Sequence, residues 1–353
     1  MIFEISNVKL KQHFNPRKFG IHANKIHIFG APKSGKTSLS LYHAKSFKSP
    51  LYIDFDDLRN TQDLIKQALL KIAFEKKIDL LILDNIPSDF FRHFTNLPNI
   101  ANIITISQRS NIANIPINVP LLEILPLNFE EFISFDKHNL NLNELFESFI
   151  KFGNLPFMLK DSKDLLKLEK KQQMLKNAIK DDMDIFLELL RFQSDFMSIF
   201  QLYNILKKRE KISKDRLYAV IDDFIQRKIF YQIPHLTKPK APKKAFFFDF
   251  SIKFALSYER NFPAVFENMI FLEILGRKKR DSSVFYSDKI PLICENKCYF
   301  PMPFKSKKMI VESLKNIDFM GLEAIVITID LNDEIFIKKH KIPLISFINF
   351  ALD

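Results

Sequence analysis

One octapeptide, Gly30-Ala31-Pro32-Lys33-Ser34-Gly35-Lys36-Thr37, limits what this chain can become more than any other stretch. It satisfies the spacing G-x-x-x-x-G-K-[ST], and its neighbours supply the context that spacing demands. Lys25-Ile26-His27-Ile28-Phe29 ahead of it is a short apolar run suited to a strand, and residues 36–47 behind it carry helical patterning. Strand, glycine-bounded loop and helix in that order make the first half of a βαβ unit and predict a parallel sheet. The whole chain has 6 glycines, and two of them stand in this loop, which argues against a chance match.

The pattern continues. Residues 51–54 read as a second strand, ending in the acidic run Asp54-Phe55-Asp56-Asp57. Residues 61–75 place Leu64, Ile65, Ala68, Leu69, Ile72 and Ala73 on a helical stripe. Asp79-Leu80-Leu81-Ile82-Leu83 is a continuous apolar run, as in a strand covered on both faces. Residues 103–107 and 121–125 repeat the strand pattern, and residues 129–135 turn helical. These alternations predict a doubly wound α/β domain over residues 1–137. Residues 138–194 are helix-rich and highly charged. Two helical patterns follow, at 197–207 and 213–227, and then strands at 229–233 and 245–250 separated by Lys238-Pro239-Lys240-Ala241-Pro242-Lys243-Lys244. That is the outline of a winged helix at 195–261. Residues 262–353 mix helix and strand, ending in the apolar runs 325–329 and 344–347.

The loop's residue types are those that polyphosphate binding requires. Gly30 and Gly35 let successive backbone N–H groups converge on phosphate oxygens. Lys36 carries a charge to the β and γ phosphates, and the Thr37 hydroxyl is a ligand for Mg²⁺. The helix start behind the loop adds free N–H groups and a favourable dipole. Residues 30–38, from Gly30 through Ala31, Pro32, Lys33, Ser34, Gly35, Lys36 and Thr37 to Ser38, are therefore the expected site for ATP with Mg²⁺. Phosphoryl transfer also needs a carboxylate that holds the metal through water. Asp84, at the end of Leu80-Leu81-Ile82-Leu83-Asp84, fills that role, the alternative being a helix cap. The next residue is Asn85, where many P-loop ATPases place glutamate. An amide orients water but accepts no proton, so hydrolysis is expected to be slow or partner-dependent. Ser107 is a candidate sensor of the γ-phosphate and Arg109 a candidate phosphate contact, with a strand-end serine and a solvated arginine as the plain alternatives.

Net charge is +12, with a pI near 9.4. That balance suits an acidic partner such as nucleic acid or an anionic surface; a lysine-rich composition accounts for it equally well. The candidate nucleic-acid contacts are Lys207, Lys208, Arg209, Lys214 and Arg216 around the second winged-helix segment, and Lys240, Lys243 and Lys244 at the wing. Asp222-Asp223 opposes base readout there. No apolar run of membrane-spanning length occurs, and the start, Met1-Ile2-Phe3-Glu4-Ile5-Ser6, lacks secretory-leader character. Two cysteines, Cys294 and Cys298, complete neither a zinc site nor a disulfide framework, so a reducing cytoplasm is the expected location.

With these pieces placed, the chain resembles a family of prokaryotic AAA+ ATPases. Leu51-Tyr52-Ile53-Asp54 with Arg59, Leu83-Asp84-Asn85-Ile86, Leu125-Pro126-Leu127-Asn128-Phe129-Glu130-Glu131-Phe132, Gly153-Asn154-Leu155-Pro156, Phe247-Phe248-Asp249, Phe266-Glu267-Asn268 and Ile342-Pro343-Leu344-Ile345-Ser346-Phe347 carry the resemblance, in order, over nearly the whole chain. It implies a P-loop ATPase domain at 1–137, a helical lid at 138–194, the winged helix at 195–261 and a restriction-endonuclease-like domain at 262–353. Such domains commonly hold nucleotide between subunits, so the resemblance allows a homo-oligomer, which no residue here demonstrates. Aligned on that pattern, Pro291 and Pro303 occupy the nuclease's acidic positions and only Lys305 survives. Metal-assisted cleavage is then not expected unless Glu295, Glu267 and Asp288 substitute. Three readings stand: an ATPase coupling nucleotide state to domain movement, a nucleotide-dependent switch or scaffold without significant hydrolysis, and an ATP-gated nuclease.

Overall fold

A computed structural model describes residues 14–75, 78–92, 94–95, 97–110, 115, 119–137, 139–159, 164–209, 211–279 and 281–353. The segment judged for leader character lies outside them. The chain divides into two compact units: residues 1–126 with 226–229, and residues 127–225 with 230–353. The first break thus falls after Pro126, ahead of the expected boundary at 137.

Among the described residues of the first unit, strands β1 (Lys25–Phe29), β2 (Pro50–Asp54), β3 (Leu80–Asp84), β4 (Asn102–Ile106) and β5 (Leu121–Glu123) form one sheet in the order β2-β3-β4-β1-β5. Every pairing is parallel. Helices α1 (Lys36–Ala44) and α2 (Gln62–Glu75) are the crossovers. The period of two decides which helix covers which face. Leu80 and Ile82 of β3 join Ile28, Ile104 and the α1 residues Leu39 and Leu41 in one core. Leu81 and Leu83 join Ile53, Ile103 and the α2 residues Ile65, Leu69 and Ile72 in the other. Both faces of β3 are consequently buried along its whole length, which is why its sequence reads as an unbroken apolar run.

In the second unit, α3 (Phe129–Ser134), α4 (Leu142–Phe152), α5 (Asp164–Ile179) and α6 (Met183–Leu190) come first. Asn128 caps α3 and an Asn141/Glu144 capping box starts α4. Then follow β6 (Phe196–Met197), α7 (Ile199–Leu206), α8 (Lys214–Gln226), β7 (Phe230–Ile233) and β8 (Lys243–Phe247), whose strands make an antiparallel sheet in the order β6-β8-β7. The last section holds α9 (Ile252–Leu256), α10 (Phe262–Arg277), β9 (Val284–Phe285), β10 (Leu292–Cys294), β11 (Lys297–Pro301), α11 (Lys307–Leu314), β12 (Glu323–Thr328), β13 (Asp333–Ile337), β14 (His340–Ser346) and α12 (Phe347–Leu352). Its mixed sheet runs β13-β14-β12-β11-β10-β9, with β11-β12 and β12-β14 parallel. No helix among the described residues is long and apolar enough to cross a membrane.

Phe129 and Phe132 of α3, expected in the first domain, pack into the second unit's core with Phe149 of α4 and Phe347 of α12. A buried ion pair fixes the same unit. The Lys171 ammonium, on α5, meets the Asp249 carboxylate with both side chains fully buried, and it also donates to the Ser251 hydroxyl and the Phe152 carbonyl. Gly153, at φ 79°, makes room for this cluster: a Cβ there would stand 2.1 Å from Asp249 Oδ1. Two of the resemblance motifs, Gly153-Asn154-Leu155-Pro156 and Phe247-Phe248-Asp249, therefore meet: Gly153 lies against Asp249, and Asn154 Nδ2 donates to the Phe248 carbonyl at 3.3 Å.

Candidate phosphate-binding site

The loop leaves β1, which lies between β4 and β5 in the first sheet, and runs into α1, as its composition requires. Gly30 has φ 143°, and a Cβ there would lie 2.3 Å from the Ile124 carbonyl oxygen, so only glycine allows the loop to turn beside β5. Gly35 stands at the start of α1 in left-handed geometry. No side chain caps that helix start, and no acidic residue occupies its first turn. Its leading N–H groups thus keep the capacity to bind an anion. The Ser34 hydroxyl is buried without a hydrogen-bond partner, an orphaned donor of the kind a phosphate oxygen satisfies. Lys33 is exposed and in left-handed geometry, and Ser38 is exposed.

Lys36 is 8% exposed. Its ammonium folds back onto the loop, donating to the Gly30 carbonyl at 2.9 Å and the Ala31 carbonyl at 2.8 Å. Burial pulls its pKa down to about 8; the Asp84 charge opposes the shift, while Lys33 and Arg227 add to it. With only neutral carbonyls as hydrogen-bond acceptors the cation is under-compensated, a deficit that an anion in the loop would fill.

Asp84 ends β3, two strands from β1. Its Oδ2 accepts from the Thr37 hydroxyl at 2.6 Å and from the Tyr52 hydroxyl at 2.8 Å, and its Oδ1 accepts from the Asn85 amide N–H at 2.9 Å. Burial raises its pKa; the Thr37 and Tyr52 hydrogen bonds act in the opposite sense. The Tyr52 hydroxyl is itself pushed upward by burial and by the nearby Asp84 and Asp54 charges. No helix starts directly after Asp84, the next helical turn being Phe90–Arg92, and none of these donors is a helix N-terminus. Thr37 and Asp84, the two oxygen ligands expected for Mg²⁺, are in mutual contact, so their chemistry and placement fit that ion. Among the described residues no cluster of three or more His, Cys, Asp or Glu could hold a metal by itself.

Asn85 is also in left-handed geometry, at φ 58°. Its side-chain amide donates to Asp54 Oδ1 at 2.9 Å. Asp54 lies opposite Asp84 in the β2-β3 register. Ser107, just beyond β4, is engaged within its own turn: its hydroxyl donates to the Arg109 carbonyl at 2.6 Å and lies 3.2 Å from His27 Nε2. His27 also contacts Thr105 Oγ1 at 2.9 Å and the Arg109 carbonyl at 3.0 Å, and burial lowers its pKa.

Several contributors have no motif to announce them. Arg17 donates to the Ser34 carbonyl at 2.7 Å and to the Leu125 carbonyl at 3.0 Å, tying the loop to the segment after β5. Tyr52, which belongs to the strand-end motif quoted above, links the two aspartates. Arg227, from the short segment that returns to the first unit, donates to Gln108 Oε1 at 2.9 Å.

The candidate nucleic-acid residues sit in the second unit with unequal freedom. Lys207, Lys208, Lys214, Lys240 and Lys243 are exposed, although the Lys214 ammonium also lies over the Phe200 and Tyr203 rings. Arg209 pairs with Glu188, and Arg216 with Asp182 at 3.0 Å. Lys244 departs from the expectation of a wing-tip cation: it is 5% exposed and its ammonium pairs with Glu267. It lies within β8, which begins at Lys243, earlier than the expected strand start at 245. Lys305 is exposed and donates to Ser313 Oγ. The three substitute acids have separate partners: Glu267 has Lys244, Asp288 has Lys238 and His235, and Glu295 accepts from the Lys279 N–H and the Ser282 hydroxyl.

No family model matches the chain. An uncharacterized protein of Methanocaldococcus jannaschii is 27% identical over 390 residues, covering 93% of this chain and 88% of its own. Among solved structures, a STAND signal-transduction ATPase with a tetratricopeptide repeat sensor from Pyrococcus horikoshii aligns at 15% identity and TM-score 0.27, over 72% of this chain but only 43% of its own. The chain thus spans less than half of that protein. The Aeropyrum pernix ORC1 protein, solved in complex with DNA, aligns at 11% identity and TM-score 0.29, over 73% and 89%. CDC6P from Pyrobaculum aerophilum aligns at 13% identity and TM-score 0.26, over 65% and 85%. Scores this low assign neither a fold family nor an activity.

Proposed function

We propose that this chain binds ATP with Mg²⁺ in the loop Gly30–Thr37 and hydrolyses it slowly, or only when a partner assists, using nucleotide state to drive domain movement. One observation carries the reading: an uncapped helix start, an orphaned Ser34 hydroxyl and an under-compensated Lys36 ammonium converge on a single loop, with Thr37 already in contact with Asp84. In this proposal the N–H groups of residues 31–37 and the Lys36 ammonium hold the phosphates. Thr37 holds Mg²⁺ directly and Asp84 through water. Bound there, the ion would supply charge neutralisation on the phosphate oxygens. Ser107 stands at the end of β4, between the strands of the loop and of Asp84, where a γ-phosphate sensor is expected.

Slow turnover is supported by Asn85. It offers no basic oxygen of carboxylate strength, and its amide is given to Asp54. The same contact favours the second reading, a switch or scaffold that binds nucleotide and barely turns it over. The helix, strand and hairpin succession α6-β6-α7-α8-β7-β8 supports a winged helix, and the mixed sheet of the last section an endonuclease-like domain without its acids. Exposed Lys207, Lys208, Lys240 and Lys243 are its contacts for DNA. Phosphate turnover by wild type and Lys36→Ala separates the two readings. Release of phosphate that the variant lacks supports the ATPase; binding without turnover leaves the switch. DNA contact predicts affinity that falls steeply with salt, and absence of binding at low salt removes it.

A further inference from the structure

Strand β13 is one edge of the second unit's mixed sheet, and among the described residues no strand pairs with its outer side. An edge strand presents a row of unpaired N–H and C=O groups, which a proline, a bulge or a run of like charge ordinarily guards. β13 has no proline, and its register with β14 is unbroken from Asp333↔Leu344 to Ile337↔His340.

That register decides which groups are open. Lys338 and Lys339 make a two-residue turn, so Ile337 and His340 are the hydrogen-bonded pair that closes the hairpin. Ile335 and Asp333 repeat that bonding at every second residue, and Glu334 and Phe336 direct their backbone groups away from β14. Pro343, which has no N–H to give, accordingly stands opposite Glu334. The Glu334 N–H turns instead to the Asp333 carboxylate at 2.7 Å. Side chains alternate as well: Ile335 and Ile337 are buried with Ile310 and Leu314 of α11, whereas Phe336 is 66% exposed.

The run Asp333-Glu334-Ile335-Phe336-Ile337-Lys338-Lys339 has two acids, three apolar residues and two cations, with Phe336 at its midpoint. Laid antiparallel on a copy of itself about Phe336, it sets Asp333 against Lys339, Glu334 against Lys338 and Ile335 against Ile337. An axis one residue away, at Ile335, sets Glu334 against Phe336 and forfeits both ion pairs. Edge charge of one sign repels a second copy; charge that changes sign from end to end attracts one.

We propose that β13 pairs antiparallel with β13 of a second copy of this chain about a two-fold axis at Phe336, joining the two mixed sheets into one. The axis falls on a position whose backbone groups face outward, so the two Phe336 residues exchange N–H···O=C bonds. Their exposed rings meet as a cross-strand aromatic pair. Asp333 is 2.7 Å from Lys307 Nζ and Glu334 2.7 Å from Lys341 Nζ. These are surface pairs of little energy, and in the dimer each acid gains a second cation. A two-fold contact of this kind closes on itself and stops at two copies. A strand this short makes a small interface, so the dimer is weak and depends on concentration.

Sedimentation velocity of the full chain, free of nucleotide and nucleic acid, from about 1 μM to about 0.1 mM at low salt, spans the affinity of a small interface. Wild type is expected to pass from monomer to dimer and no further. Phe336→Lys, Glu334→Lys and Lys338→Glu each weaken association about tenfold or more, because the axis repeats every altered pair. An equimolar mixture of Glu334→Lys and Lys338→Glu associates again, as does the double variant carrying both changes, a recovery that a purely structural role of these residues does not produce. Wild type that stays monomeric throughout overturns the proposal, as does a dimer that Phe336→Lys and Lys338→Glu leave intact. Should Phe336→Lys fail to fold by circular dichroism, the mixture decides: no association between the two charge variants counts against the proposal.

Discussion

Replacing Lys36 with methionine is expected to stabilise the empty protein while removing its affinity for nucleotide. The ammonium is nearly enclosed, with the Gly30 and Ala31 carbonyls as its hydrogen-bond acceptors. Burial is the largest cause of its depressed pKa, from 10.5 to about 8. At 1.36 kcal/mol per unit this corresponds to about 3 kcal/mol against the charged form. Methionine keeps the volume but gives up two carbonyl hydrogen bonds of about 1 kcal/mol each, leaving a net gain of about 1 kcal/mol. The sign of the pH dependence follows from the two pKa values. Between about 8 and 10.5 the unfolded chain binds more protons than the folded one, so wild-type stability rises with pH in that window. The wild type's handicap is complete below pH 8 and fades as pH approaches 10.5. Urea unfolding followed by circular dichroism, with a chelator and no nucleotide, measures both proteins at pH 7 and pH 10. Methionine that is neutral or destabilising at pH 7, or a gap that does not narrow by pH 10, refutes the reasoning. With Mg·ATP at 100 times its dissociation constant the order reverses, because ligand adds about 2.7 kcal/mol to the wild type alone.

Lys171→Met leaves the Asp249 carboxylate buried without its cation and is expected to destabilise the second unit by about 3–5 kcal/mol in denaturant titrations, whereas Lys171→Met with Asp249→Leu recovers much of that loss. A single substitution that costs under about 1 kcal/mol contradicts the pairing. Asn85→Ala removes a donor from Asp54 and places alanine at φ 58°, so a loss of about 1–3 kcal/mol is expected in thermal unfolding of the nucleotide-free chain. Lys244→Ala leaves the half-buried Glu267 carboxyl without its cation and lowers stability, while Lys240→Ala and Lys243→Ala leave stability unchanged and reduce only DNA affinity, read by fluorescence anisotropy at low salt. Equal stability effects for the three lysines argue against the assigned burial.

Much of the first unit was legible because its signals are local. The unbroken apolar run of β3 and the glycine-lysine spacing of the loop each report structure within a few residues. Contacts that span the chain left no such trace. Arg17 reaches Leu125 across 108 positions and Arg227 reaches Gln108 across 119, and neither arginine differs in local context from a solvated one. Tyr52 and Asp54 were visible as a strand end, but their register with Asp84 is a product of sheet pairing. Gly153 and Asp249 stand out as motif residues; Lys171, the partner of Asp249, sits in a lysine-rich helix where Lys167 and Lys170 look no different. The helix at 129–134 was recognised, but the spacing of Phe129 and Phe132 cannot say which core receives them. Lys244 was misplaced for a related reason: a lysine run before a strand reads as solvated, and only the position of Glu267 on α10 takes one of its members inside.

The most direct test of the central claim is isothermal calorimetry of the folded, nucleotide-free protein titrated with ATP in the presence of Mg²⁺, beside the same titration of Lys36→Ala. The account predicts saturable one-site binding by the wild type, lost or severely weakened in the variant. Absence of binding heat at several temperatures for the wild type, or equal affinity in the two proteins, contradicts it.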